Sequence, residues 1–508
     1  MSNNLAFQAL NVISTFLLLS IGSMVNARYL GLSQMGEYGI LTTLSSALIN
    51  TGALGLTDAA SRFVAEYASR GERRKMLGFI RFGLLGVLLI ALVTTFGLYY
   101  FAEPLSTLLG LDGAARYLVL TGLVVAPAML GNMLTSILAG LQRYDLIAIV
   151  KVCTNLPLIA MSLLVLQLKF GITGLLLVNI TANSVAFLLW LILVLRLIPL
   201  FKEDYSFSWR DVWRVVAYSF SMLVIALITI IVWQRSGVFF LSIYRNSREV
   251  GLYVTAFVLS SVFTTVITNI LHVMIPAFAE LIGKGDVTAI ASLFRTSARI
   301  TALLAVPIAF GGMLIAKELI WLLYGTQYLD ATPILQILMI ATLASIISTG
   351  CNFTITSTAP NNRLYLVVMI GLSLINLSLN FLLVPVFGVV GAALCHATTQ
   401  FLTPFCFDRL LRHLHGFGYP AYNVGLIISV GLVSLLIAML GHYLIEGWLG
   451  TAGAVLIFAG LYLPGVVFVR AIYRRDLHII LRFMCQLHLP PILIKPLESV
   501  TGWLKEEN

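Results

Sequence analysis

The sequence predicts an all-α polytopic membrane protein with about 14 transmembrane helices, built as two parallel-repeat six-helix lobes plus two C-terminal helices. Three observations predict it. The 508 residues are 59% hydrophobic and only 10% charged, with a mean hydropathy of +0.99. A soluble chain of this length needs a far more polar surface. Apolar runs of about 20 residues, each able to cross roughly 30 Å of hydrocarbon, follow one another almost without pause. Finally, "AEYASRGE" at 65–72 returns as "AELIGKGD" at 279–286, an offset of 214.

In order, the predicted spans are 6–27, 36–57, 77–101, 117–140, 146–168, 172–195, 216–242, 250–273, 297–316, 332–357, 364–384, 388–408, 423–444 and 450–471. No basic residue precedes the first, which is too long for a signal-peptide core and reads as a membrane helix. Pro199 ends the sixth, and "SWRD" at 208–211 has the form of a capping box. Trp209 and Trp213 follow one turn apart, flanked by Arg210 and Arg214. This stretch reads as an amphipathic helix on the inner surface that runs on into the seventh span; the alternative is a plain charged linker. The tail "RRDLHIILRFMCQLHL" (474–489) is basic and amphipathic and is expected on the inner leaflet. The expected division is an N-lobe at 1–197, the linker at 198–215, a C-lobe at 216–412, two further spans within 413–473 and the tail at 474–508.

Charge sets the orientation. With the loop at 58–81 inside, 24 of the 31 Lys and Arg fall inside and 7 outside. That bias predicts a multi-pass protein with both termini cytoplasmic. It also accounts for the net charge of +10 through short inner loops beside anionic lipid, with no nucleic acid needed.

Other matches follow the opening rhyme. "GEYG" at 36–39 meets "GLYV" at 251–254, and "LSS" at 44–46 meets "LSS" at 259–261, both offset by 215. "AEPLSTLL" at 102–109 meets "AKELIWLL" at 316–323, and "FGITGLL" at 170–176 meets "FGVVGAA" at 387–393. Matches in one order at nearly the same spacing, 214 to 217 residues, indicate a duplication joining spans 1–6 to spans 7–12. Six is even, so both copies enter from the same side, as parallel repeats that can rock about a central cleft.

"ARYLGLSQMGEYGI" (27–40), "GLTDAASRFVAEY" (55–67), "EVGLYVTA" (249–256) and "INLSLNFLLVPVFGVVGAAL" (375–394) carry a resemblance. With the span layout, they resemble the polysaccharide-transporter branch of the multidrug/oligosaccharidyl-lipid/polysaccharide exporter superfamily, over about residues 5–410. The resemblance implies a flippase for polyprenyl-diphosphate-linked oligosaccharides, as in O-antigen, lipopolysaccharide or capsule assembly. It implies partners among the polysaccharide polymerase and glycosyltransferases of the same pathway, besides membrane lipids. It implies no catalytic residue and no cofactor. No charge lies between Leu5 and Ala27, unlike the arginine-rich first span of peptidoglycan-precursor flippases in the same superfamily.

Such a substrate needs polar groups for its sugars and a cation for its diphosphate. Span 8 carries Ser261, Thr264, Thr265, Thr268, Asn269 and His272 at helical steps, and span 2 carries Thr43, Ser46, Asn50, Thr57 and Asp58. The plainer reading has the hydroxyls bonding their own backbone. Asn50, Asn269 and His272 are expected to line the cleft, with Ser46 and Thr265 beside them. Arg235 either meets the diphosphate inside the cleft or snorkels to the outer surface. Lys151 is a lower cleft cation or an inner-face anchor. Asp58 and Arg62, spaced i,i+4, are expected to pair locally; the alternative is an ion-coupling or gating site.

Two other functions compete. An ion-coupled multidrug exporter of the same superfamily favours an acidic pocket, and apart from Asp58 the spans hold almost no acids. A membrane glycan polymerase or ligase needs a large outer loop, whereas the outer connections are about 4–16 residues. No G-x-x-x-x-G-K-[ST] loop for ATP is present. The five cysteines have no C-x-x-C spacing, which predicts neither a zinc site nor a disulfide framework.

Overall fold

A computed structural model describes residues 2–471 apart from Asp112, 199–203, 234–235, 273–277, 279–280, 282–283, 285, 359–362 and 445–446, together with Tyr473 and Asp476. The side chains of 2–19, 231–233, 266–272 and 357–358 also lie outside the description. Among the described residues the protein is helical, with no strands. Helices satisfy every backbone polar group within one segment, which hydrocarbon demands.

The first copy begins with α1 (Ser2–Gly52) and α2 (Leu56–Ser69). It continues through α3 (Arg73–Tyr100), the short α4 (Ala102–Leu108), α5 (Ala115–Gly140), α6 (Tyr144–Gln167) and α7 (Gly171–Leu197). The second runs through α8 (Trp209–Trp233), α9 (Ser236–Tyr244), α10 (Ser247–His272), α11 (Val287–Leu314), the short α12 (Ala316–Tyr324), a 3-10 turn, α13 (Thr332–Thr358) and α14 (Arg363–His415). The chain closes with α15 (Ala421–Leu444) and α16 (Trp448–Phe468). The long–short–long order of α3, α4 and α5 thus recurs as α11, α12 and α13.

By length and apolarity, ten of the described helices can cross a membrane, or eleven if Ser20–Gly52 and Leu56–Ser69, bent by 42°, form one span. Two helices each hold two predicted spans. At 53 residues α14 is far longer than a bilayer needs, and it breaks at Gly388; α1 breaks at Gly31. Gly388 (φ 55°) is the repeat mate of Gly171 (φ 56°), which opens α7. Both copies therefore turn at the same glycine, in backbone geometry that a side chain strains.

Capping fixes the other boundaries. The Ser208 hydroxyl donates to Asp211 Oδ2 at 2.6 Å, and the Asp211 N–H donates back to Ser208 Oγ at 3.3 Å, opening α8 as the sequence implies. Asp286 accepts the Ala289 N–H at 2.9 Å and the Thr288 hydroxyl at 2.7 Å, contacts that hold its carboxyl below the usual carboxylate range.

Two compact units divide the chain. The first comprises Met1–Val258 and Leu377–Ala392. Its core joins α2, α3, α5 and α7 through Phe63, Tyr67, Phe79, Met133 and Trp190, while α6 packs along α1 and α7. The second comprises Leu259–Asn376 and Ala393–Asn508. Its core joins α11, α13, α15 and α16 through Val306, Phe310, Ile346, Ile427 and Phe458. Exposed Phe96, Tyr100, Leu440 and Phe468 supply the apolar surface expected against lipid.

One feature of the second unit departs from expectation. Arg299, a charge at the start of the predicted ninth span, has a side chain only 2% exposed. It donates to both oxygens of Asp476, at 2.7 and 2.9 Å, and stacks over the Tyr473 ring at 4.6 Å. Asp476 is fully buried, so this residue of the predicted surface tail folds into the protein; 477–508 lie outside the described residues. A bidentate guanidinium–carboxylate pair is the geometry that makes such burial tolerable.

Candidate functional site

The polar face of α1 is the best-defined part of the site. Ser46 and Asn50 are both exposed, one turn apart, on a helix that is otherwise largely apolar. Asn50 donates to the Ser46 carbonyl at 2.8 Å. The neighbouring hydroxyls are occupied: Thr42 donates to the Gly39 carbonyl at 3.1 Å, Ser45 to Leu41 at 2.7 Å and Thr51 to Ala47 at 2.7 Å. For these the plainer reading holds. Thr43 is buried, so the predicted stripe is not uniformly open.

The stripe also ends early. Hydropathy carries span 2 to residue 57, but α1 stops at Gly52 and the chain turns through Leu54 (φ 50°) and Gly55 (φ 77°). Thr57 and Asp58 consequently sit in the first turn of a separate helix, α2. Asp58 is exposed there and makes no ion pair with Arg62. The Arg62 guanidinium lies instead over the Tyr218 ring of α8, at 4.4 Å. An aromatic face from a packed helix outcompetes the i,i+4 carboxylate, whose exposed pairing is worth only a few tenths of a kcal/mol.

Lys151 is half-buried on α6, the helix that runs along α1, and no carboxylate among the described residues pairs with it. In the second unit, Thr265 is half-buried and donates to the Ser261 carbonyl at 2.8 Å. Asn269 and His272 belong to α10 by backbone, but their side chains lie outside the described residues, as does the whole of Arg235.

A second constellation was missed by sequence reasoning. Glu66, in the opening rhyme, accepts from Arg70 at 2.9 Å and from Arg214 at 2.8 Å. Arg214 also lies over Phe63 at 5.2 Å, and Phe63 meets Tyr218 edge-on at 5.7 Å. The rest of the linker is held alike: Phe207 packs on Phe79 and Phe82, and Arg81 lies over Tyr205 at 4.4 Å. The start of α8 is thereby docked on the α2–α3 elbow by alternating arginine and aromatic side chains, each worth about 0.5–1 kcal/mol when exposed. The signal lay in the paired "Ala-Glu" and the Trp/Arg alternation, although neither reveals its partner. Trp209 and Trp213 stay exposed, as an interfacial position requires.

Comparison with known proteins fits this architecture. Residues 85–333 match the family model described as "Polysaccharide biosynthesis protein". The chain is 26% identical to the "Succinoglycan biosynthesis transport protein ExoT" of Rhizobium meliloti, over 67% of this chain and 66% of that one, just under two thirds of its length. It is 22% identical to the "Probable low-salt glycan biosynthesis flippase Agl15" of Haloferax volcanii, over 74% of this chain and 76% of that one. Among solved structures, "Lipid II flippase MurJ, inward closed conformation" superposes with a TM-score of 0.74 at 15% identity, covering 91% of this chain and 98% of that one. At that identity the likeness concerns the fold alone. The chain is thus similar to proteins of polysaccharide biosynthesis and glycan transport, on a fold like that of the lipid II flippase.

Proposed function

We propose that the protein is a flippase, moving polyprenyl-diphosphate-linked oligosaccharide from the cytoplasmic to the outer leaflet of the cell inner membrane for cell-surface polysaccharide assembly. The match of residues 85–333 to a polysaccharide biosynthesis family model supports the reading, as do relatives named for succinoglycan transport and glycan flipping. The observation that carries it is the exposed Ser46–Asn50 pair on an apolar helix. Neutral hydrogen-bonding groups suit sugar hydroxyls, whereas an ion-coupled drug pocket calls for acids.

In this reading Thr265, Asn269 and His272 supply the matching polar groups from the second repeat. Arg235 and Lys151 meet the diphosphate; a guanidinium fork suits two phosphate oxygens. Asp58 and Arg62 belong to the inner gate. The repeats alternate access by rocking, and polymerase and glycosyltransferases of the pathway act before and after the transfer.

Depletion of the protein in its own cells tests the reading. Lipid-linked glycan should accumulate on the inner leaflet, detectable as glycan resistant to an impermeant glycosidase. An unchanged pool with altered drug efflux would favour the multidrug alternative instead.

A further inference from the structure

The second half of α1 and the first turns of α10 approach each other backbone to backbone. A Cβ on Gly36 would overlap the Ser247 carbonyl oxygen and lie 3.0 Å from the Gly251 nitrogen. A Cβ on Gly251 would overlap the Leu32 carbonyl oxygen and lie 3.2 Å from the Gly36 nitrogen. A Cβ on Gly39 would lie 2.7 Å from Val254 Cγ2. No longer side chain could fill either glycine position without parting the helices.

The residues that meet are also repeat mates. Leu32 and Ser247, Gly36 and Gly251, and Gly39 and Val254 are each separated by the same 215 positions. When residue i contacts j and the mate of i contacts the mate of j, the contact lies on the two-fold axis relating the copies. Charge bias puts these helix ends at the outer membrane surface, because α1 runs inward from Gly31 toward the basic elbow. Two independent observations therefore coincide: a contact that only glycine permits, and a position on the repeat axis.

We propose that Gly36 and Gly251 form the seal of an outer gate, a reversible crossing of the two copies that closes the transport path to the outside. This rests on the transporter reading above. Helices parted by one added methyl group cannot reach this contact, so alanine at either position favours the open outer face. Carbonyl oxygens packed against glycine Cα atoms hold the seal weakly enough to release.

The test uses the full-length protein in intact cells, in a cysteine-free background with Thr43→Cys as reporter. Thr43 is buried on α1, further inward than the crossing. We expect little labelling by an impermeant maleimide from outside. Adding Gly36→Ala or Gly251→Ala should raise the labelling rate about tenfold, as about 1.4 kcal/mol of overpacking on the closed state requires. Unchanged labelling in variants that reach the membrane at normal levels overturns the proposal, as does a rise seen only from the cytoplasmic side. If neither alanine variant accumulates, the pair Leu32→Cys/Ser247→Cys decides. Its oxidation should block transport and its reduction restore it; undiminished transport when oxidised overturns the seal. Labelling does not depend on the cargo, so a shifted rate without glycan accumulation on depletion would sink the flippase reading alone.

Discussion

Arg299→Met should destabilise the protein far more than its one lost ion pair suggests. The side chains of Arg299 and Asp476 are 2% and 0% exposed. Methionine keeps the packing volume but strips Asp476 of both guanidinium bonds, leaving it the Tyr473 N–H at 3.0 Å. An uncompensated buried carboxylate costs about 3–5 kcal/mol, whereas replacing both partners by apolar residues is often neutral. The double variant Arg299→Met/Asp476→Leu should therefore recover most of the loss, a coupling well above the few tenths expected of independent sites. Thermal unfolding of the detergent-purified protein, followed by tryptophan fluorescence across the four variants of the cycle, measures it. Additive losses, or a single-variant loss below about 1 kcal/mol, would mean that the segment after α16 is not clamped by this pair.

Gly388→Ala places a side chain at φ 55°, ψ −132° against the Glu249 carboxylate, and should cost about 2–3 kcal/mol; equal stability to the parent would deny the strained break in α14. Arg235→Ala should abolish most transport while expression persists, and Arg235→Lys should restore only part, because a point charge replaces a fork. Full transport by the alanine variant would favour a snorkelling arginine. Glu66→Gln should weaken docking of the α8 start by about 1 kcal/mol, read as faster proteolysis of the 204–208 segment in membranes; an unchanged rate would remove Glu66 from the elbow. A single cysteine at Ser69 should resist an impermeant thiol reagent in intact cells, and labelling from outside would reverse the orientation.

Local signals in the chain were the readable ones. Hydropathy revealed the helices, "SWRD" the start of α8, and the "FG" pairs at 170–171 and 387–388 the matched breaks before α7 and inside α14. What escaped is long-range. Hydropathy runs smoothly through Gly52–Gly55, so the turn that moves Asp58 onto α2 leaves no mark in a sliding window. Arg62 has a carboxylate four residues away but takes a ring 156 positions distant. Arg299 and Asp476 stand 177 positions apart, and each alone looks like an ordinary surface charge. The candidate site was legible as a polar stripe; which of its hydroxyls are consumed by their own helix was not, because that depends on rotamers.

Reconstitution measures the central claim most directly. Purified protein is placed in liposomes carrying a polyprenyl-diphosphate oligosaccharide in both leaflets, and an impermeant glycosidase is added outside. Protein-free liposomes should protect the inner-leaflet half. Liposomes with the protein should lose that protection, and Asn50→Leu, which removes the exposed carboxamide of the polar face, should slow the loss. Equal protection with and without active protein, across imposed proton and sodium gradients, would contradict the flippase assignment.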